Sequence, residues 1–281
     1  MDLAKIKTLR EETGQGMLEV KKALSEATGD LDEARKLLKN LSKNEESSKR
    51  VASKGLTNVK VLDHEAILFE VNAETDFVAK HPLFIKLMDE LAEVLIASRA
   101  ITLKDALKVK IGNITVEEHI KIVGNTIKEN TFLRRFHHIK KQNTEHFVTY
   151  KHQNGKISVL VILSQKDELL GKDIAMQITS DAPRYIAYDQ IDQETKDYEQ
   201  MMFEKTGQKS DRLTLKKYLE SISLYDQPFI KNPELKVKDV LKGNDVIDFY
   251  RFELGQGIEN KLNCRLDVLC DGSTITVTPI F

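Results

Sequence analysis

Apolar residues at Leu3, Ile6 and Leu9, then Met17, Val20, Ala23, Leu24 and Ala27, then Leu31, Ala34, Leu37, Leu38 and Leu41 recur at spacings of three and four. That period predicts three short helices in residues 1–42, each with one buried face. Thr13-Gly14 and Gly29 supply left-handed stops between them, and Asp30 with Glu33 forms an acidic version of the capping box for the third. Residues 43–54 are nearly all polar and read as a linker or a solvated helical arm.

From Gly55 the period falls to two. Val59 and Val61, a turn at Asp63-His64, then Ile67, Phe69 and Val71 predict a β-hairpin. The chain then runs through Asn72-Ala73-Glu74-Thr75-Asp76-Phe77 into a helix with Pro82 near its first turn and Phe84, Leu87, Leu91, Val94 and Leu95 on one face. Thr102 with Asp105 and Thr115 with Glu118 cap two further helices. The pattern recurs: Phe147 to Lys151, an Asn154-Gly155 turn of type I′, Ile157 to Leu163, and a helix through Ile174, Ala175 and Ile178. The expected fold class is therefore α+β: a three-helix module, then two similar hairpin-plus-helix half-domains side by side, 55–141 and 142–260. A charged helical stretch at about 190–223, broken near Thr206-Gly207, is read as an antiparallel helix pair inserted in the second half. Val246 to Leu254 returns to strand and completes the second sheet. Residues 261–281 form a tail that alternates around Asp271-Gly272 as a hairpin would.

A chain of 281 residues, 41% apolar, exceeds the usual single-domain size of roughly 100–200 residues. Its 43 basic and 44 acidic residues leave a net charge of −1, so no whole-chain field would hold it on nucleic acid or an anionic membrane. Apolar runs such as Val159 to Leu163 fall far short of the roughly 18 residues that span a bilayer, and no membrane partner is expected. The opening MDLAKIKTLREETG has neither an apolar signal core nor the acid-free character of a transit peptide, so the chain reads as cytoplasmic. Cys264 and Cys270 are too few for a disulfide framework and are not spaced as a zinc pair.

No phosphate-binding G-x-x-x-x-G-K-[ST] string, G-x-S-x-G or H-E-x-x-H occurs. His137 and His138 are adjacent, so on a strand they point to opposite faces and cannot share a metal ion. These absences argue against an enzyme: no catalytic residue, metal or cofactor is expected. Two positive features remain. Arg134-Arg135-Phe136-His137-His138-Ile139-Lys140-Lys141 is a basic cluster that either contacts RNA or lies on an edge strand with Phe136 inward and its charges in water. Thr75-Asp76-Phe77-Val78 sits at a strand-to-helix junction, where, taken alone, Phe77 reads as a core anchor and Asp76 as a first-turn charge favoured by the helix dipole.

Leu9-Arg10 followed by Thr13-Gly14-Gln15-Gly16-Met17, Lys21-Lys22-Ala23-Leu24 and Gly29-Asp30 resembles the N-terminal module of the bacterial elongation factor Ts family, a three-helix fold similar to ubiquitin-associated (UBA) domains. Glu70-Val71-Asn72-Ala73-Glu74-Thr75-Asp76-Phe77-Val78-Ala79-Lys80 is the family's most diagnostic string. Glu129-Asn130 with Arg134-Arg135, Tyr150-x-His152 with Gly155, Lys172 to Met176, Gln227-Pro228-Phe229 and Arg251-Phe252-Glu253 with Gly255 to Glu259 follow in family order.

The resemblance implies a guanine-nucleotide exchange factor for elongation factor Tu, the GTPase that delivers aminoacyl-tRNA, bound in its GDP and nucleotide-free states. By the same resemblance, the Thr75, Asp76, Phe77, Val78 string wedges into the G domain and disturbs its Mg²⁺ and phosphate site. Arg10, Met17 and Leu18 would dock the N-terminal module, His152 is a candidate contact of the core, and the helix pair is a candidate homodimer surface. No direct nucleic-acid contact is implied. The alternative from another class is an RNA-binding or adaptor protein using the 134–141 cluster and the UBA-like module. Two departures stand out: Gln177 where relatives often carry His, and the β-branched tail 261–281 where many relatives carry an amphipathic helix.

Overall fold

In the computed structural model, which describes residues 3–13, 17–44, 52–205 and 214–258, the first three apolar stripes form α1 (Leu3–Thr13), α2 (Met17–Glu26) and α3 (Leu31–Asn44). Ile6, Leu9, Val20, Ala23, Leu24, Ala27, Ala34 and Leu38 close a small core of their own. The stop after α2 is built as expected: Thr28 and Gly29 both take positive φ, and the Gly29 N–H donates to Leu24 O at 2.8 Å. The Asp30 carboxylate then accepts from the Asp32 and Glu33 N–H groups at 2.8 and 2.9 Å, which starts α3 and holds the carboxyl below its ordinary pKa. Gly14 at the first stop and residues 45–51 of the expected linker lie outside the described residues.

The next block contains β1 (Lys54–Leu62), β2 (Glu65–Ala73), α4 (Pro82–Ser98), α5 (Leu103–Lys108), β3 (Lys110–Ile111), β4 (Ile114–Thr115), α6 (Val116–Ile127) and β5 (Phe132–Lys140). The β1–β2 hairpin turns at Asp63, whose φ is positive, and both expected capping boxes, Thr102 with Asp105 and Thr115 with Glu118, are formed. Then follow β6 (His146–His152), β7 (Ile157–Leu163), α7 (Glu168–Asp181), α8 (Gln193–Lys205), α9 (Leu215–Ser221), β8 (Pro228–Phe229), β9 (Asn232–Lys236), α10 (Val237–Val240) and β10 (Val246–Glu253). The chain is thus mixed α+β with antiparallel sheets. The short ribbons β3–β4 and β8–β9 and the single turn α10 are not foreseen by periodicity, because two to five residues carry no readable period. The Thr206-Gly207 break and the tail hairpin at Asp271-Gly272 lie outside the described residues.

The two larger sheets share a topology. Their orders are β1-β2-β5 and β10-β7-β6, so in each a later strand joins the second strand of a hairpin. The β6–β7 connection is wider than a two-residue type I′ turn: His152 pairs with Ile157, and Gln153, Asn154 and Gly155 all have positive φ. A Cβ on Gly155 would lie 2.6 Å from Thr57 O, so the loop can approach β1 only with glycine there. The contact it permits is polar, with the Thr57 N–H donating to Gly155 O at 2.7 Å.

Alternation along the strands sets the layers. Ile67, Phe69, Val71 and Ala73 pack with Leu87, Leu91 and Leu95 of α4 and with Ile120 of α6. Val159, Val161 and Leu163 pack with Ile174 and Ile178 of α7. The opposite faces meet each other: Val59, Ala66, Leu68 and Ile139 share an apolar layer with Leu160, Ile162 and Phe252. Helices therefore cover the outside and the sheets face inward, which is why Ala66 to Val71 is an unbroken buried run. Among the described residues no helix is long and apolar enough to cross a membrane.

Candidate functional site

Strand β2 ends at Ala73, and the chain reaches α4 through an exposed loop and a single 3-10 turn at Val78–Lys80. Pro82 occupies the first turn of α4, where a missing N–H costs nothing, and His81 Nδ1 accepts from the Leu83 N–H at 3.2 Å. Two anchors fix the loop. Val78 is buried in the α4 core, and the Glu129 carboxylate accepts from the Glu74 and Thr75 N–H groups, both at 3.2 Å, and from the Thr75 hydroxyl at 2.6 Å.

Between these anchors Phe77 is 85% exposed, more than any other large apolar side chain among the described residues. The core-anchor reading of Phe77 is thereby corrected: its neighbour Val78 takes the interior position. Leaving a phenyl ring in water forgoes roughly 1.5–3 kcal/mol of burial, which a partner surface can recover. Asp76 is also exposed, with Lys54 Nζ 3.9 Å from its carboxylate, a surface pair of little strength. It does not serve the dipole of α4, whose first turn holds no acidic residue.

Glu129 is available because α6 ends abruptly. Lys128 caps the helix in the left-handed region, and the Glu129 N–H folds back onto Gly124 O at 2.9 Å. A Cβ at Gly124 would lie 2.3 Å from Thr131 Oγ1 and 2.8 Å from Glu129 O, so only glycine lets the chain return this tightly. The same helix end touches α1, since Asn125 Nδ2 donates to Thr13 O at 3.3 Å. Sequence reasoning assigns Glu129 no role, because its partners lie more than fifty residues earlier.

The basic cluster is occupied from within. A bulge in the β2–β5 ladder, where Glu70 pairs with Arg135 and Val71 with Leu133, aims two consecutive arginines at one carboxylate. Glu70 is fully buried, with Arg134 Nη1 3.2 and 3.1 Å from its two oxygens and Arg135 Nε and Nη2 2.6 and 2.5 Å from Oε2. The Gly255 N–H also donates to Glu70 Oε1 at 2.9 Å, while Arg134 and Arg135 donate to Gln256 O and Glu253 O at 2.6 and 2.8 Å. The Arg135 guanidinium stacks 4.2 Å from the centre of the Phe252 ring. His137 meets the same ring edge-on at 5.0 Å, and Lys140 Nζ lies 3.1 Å from Glu65. Phe136 is buried as expected, but the arginines are not charges left in water. They fasten β5 to the end of β10 and the turn that follows it.

The other sequence-derived candidates are dispersed. Arg10 is exposed in the last turn of α1, and Met17 is exposed at the start of α2, where Leu18 follows it. His152 is half-buried at the end of β6, its Nδ1 3.4 Å from the Tyr150 hydroxyl. Gln177 is a fully buried amide: Oε1 accepts from the Ile230 N–H at 2.7 Å, and Nε2 donates to Asp181 at 2.7 Å and Pro228 O at 3.2 Å. It fastens β8 to α7. Helices α8 and α9 meet through Phe203 and Tyr218, ring centres 4.9 Å apart, above a buried Glu199 that accepts from Arg184 and Tyr185 at 2.7 and 2.8 Å. Among the described residues no group of three or more His, Cys, Asp or Glu side chains is placed to hold a metal ion.

Residues 74–256, from the loop after β2 to the carbonyl that receives Arg134, match the family model described as Elongation factor TS. Over 279 residues the chain is 38% identical to Elongation factor Ts of Acholeplasma laidlawii, an alignment covering 92% of this chain and 94% of that protein. With the family pattern running through the loop, the arginine pair and the closing strand, and a relative aligned along almost its whole length, this chain belongs to the elongation factor Ts family of translation elongation factors.

Proposed function

We propose that this chain is a guanine-nucleotide exchange factor for elongation factor Tu and performs no covalent chemistry of its own. The observation that carries this reading is the tip of the loop: Phe77 stands 85% exposed beside Asp76, between two anchored neighbours. Inserted into the GTPase, the ring gains the burial it lacks in the free protein, and that gain can drive apart groups around the partner's Mg²⁺. Mg²⁺ bridges phosphate oxygens of the nucleotide, so displacing it weakens GDP binding. By linkage, a factor that lowers nucleotide affinity is itself bound less tightly when nucleotide is present, so incoming GTP releases it.

The remaining parts follow the family resemblance. The three-helix module of residues 1–42 is UBA-like and docks on the G domain through Arg10, Met17 and Leu18. Residues 55–141 display the wedge, and residues 142–260, with His152, meet a further region of the partner. The α8–α9 pair is the surface available for a homodimer, and the chain works in the cytoplasm. The RNA-binding alternative loses its main support, since Arg134 and Arg135 are already bonded to Glu70.

The test is the release of fluorescent GDP from elongation factor Tu. The double variant D76A/F77A should melt within about 1 kcal/mol of the unaltered protein, as expected for exposed side chains, while its stimulation of GDP release collapses. Normal stimulation per folded molecule sinks the wedge.

A further inference from the structure

We infer that Glu129 is a positioning residue for the exchange tip, holding the loop in the form that displays Asp76 and Phe77; this rests on the exchange reading above. The 85%-exposed Phe77 draws almost no packing from its own surroundings, so its placement must come from the residues on either side. On the far side Val78 is locked in the α4 core. On the near side one carboxylate receives three donors from two consecutive residues, the Glu74 N–H, the Thr75 N–H and the Thr75 hydroxyl. Bonds to an ionised acceptor are stronger than neutral ones, and here they restrain the backbone immediately before Asp76. A tip already ordered in the free protein loses less conformational freedom on insertion.

Glu129 can do this only because its own backbone is fixed, by the left-handed Lys128 cap and by the bond to Gly124 O at 2.9 Å. The end of α6 that presents Glu129 also meets α1 through Asn125 and Thr13. One helix end thereby touches both the strand-side anchor of the tip and the helix that carries Arg10. In this proposal Glu129 acts on the tip through its bonds to Glu74 and Thr75 and not by contact of its own with the partner.

The test uses the full-length chain with Glu129→Ala, Glu129→Gln and Thr75→Val. Gln can mimic the carboxylate: its oxygen accepts from both backbone N–H groups and its NH₂ donates to the Thr75 hydroxyl oxygen. Ala removes every acceptor. In the free protein, E129A should speed hydrogen exchange of the Glu74 and Thr75 amides. With elongation factor Tu it should lower the maximal rate of GDP release about tenfold or more, the factor expected for losing a hydrogen bond to a charged group. The half-saturating concentration should move less than about threefold, since the surfaces away from the tip still dock. E129Q should restore most of the rate, and adding T75V to E129A should change it little further. An unaltered maximal rate in E129A, or E129Q as slow as E129A, overturns the proposal while leaving the exchange reading intact. Failure of the unaltered chain to release GDP overturns the exchange reading instead. The clamp is then judged on the free protein, where unchanged amide exchange in E129A overturns it.

Discussion

Glu70→Gln is expected to be among the most destabilising single changes in this chain, although it exchanges only one carboxylate oxygen for an amide nitrogen. The carboxylate has no exposed surface, and the side chains of Arg134 and Arg135 that face it are only 20% and 25% exposed. Gln keeps one acceptor oxygen but turns an NH₂ toward the guanidinium donors and leaves two positive charges without an anion. Breaking a buried ion pair by removing one partner costs about 3–5 kcal/mol. At roughly 2–4 °C per kcal/mol for a chain of this class, the melting midpoint should fall by about 6–20 °C. The Gly255 N–H loses its charged acceptor as well, so the segment after β10 should become more sensitive to protease. A variant with all three charges replaced by apolar residues, E70M/R134L/R135M, should be less destabilised than E70Q, because no uncompensated charge remains. Urea unfolding followed by circular dichroism measures both. E70Q within about 1 kcal/mol of the unaltered chain, or a triple variant less stable than E70Q, would refute the view that uncompensated charge dominates here.

Two further outcomes follow from other pairs. The Lys140 bond, with His138 nearby, holds the Glu65 carboxyl below its ordinary value of 4.5, so the unfolded chain binds its proton first as pH falls. That stability is present above pH 4.5 and lost as pH falls below it, and Glu65→Gln should flatten the fall of the melting midpoint on the acid side of pH 4.5; an unchanged acid limb would count against the pairing. Gln177→Leu should cost about 1–3 kcal/mol in urea unfolding, because it removes a fully buried amide that accepts from the Ile230 N–H and donates to Asp181 and Pro228 O. Gln177→His, which retains one donor and one acceptor, should cost less, and equal losses would show that volume rather than hydrogen bonding matters there.

The elements legible in the sequence are those whose cause lies within a few residues. The α4 face of Phe84, Leu87, Leu91 and Leu95, the boxes at Thr102 and Thr115, and the turn at Asp63 form as the local pattern predicts. Each depends on helix period, a side chain three residues from its partner, or one left-handed residue. The diagnostic string around Asp76 and Phe77 was likewise visible, and with it the family.

What the tertiary structure alone decided is which of two chemically suitable residues goes inside, and where a charge finds its partner. Phe77 and Val78 are adjacent and both apolar, so no local pattern chooses between them; in the folded chain the valine packs into the α4 core and the larger ring stays in water. Arg134 and Arg135 read as solvated because alternation along one strand cannot register a bulge, nor a carboxylate on another strand more than sixty residues earlier. Glu129 was invisible as a clamp for the same reason: its donors on Glu74 and Thr75 come within reach only when β2 and α6 pack into one core. Period, caps and turns are short-range and survive in one dimension, whereas burial and charge pairing depend on which distant segments the packed layers bring together.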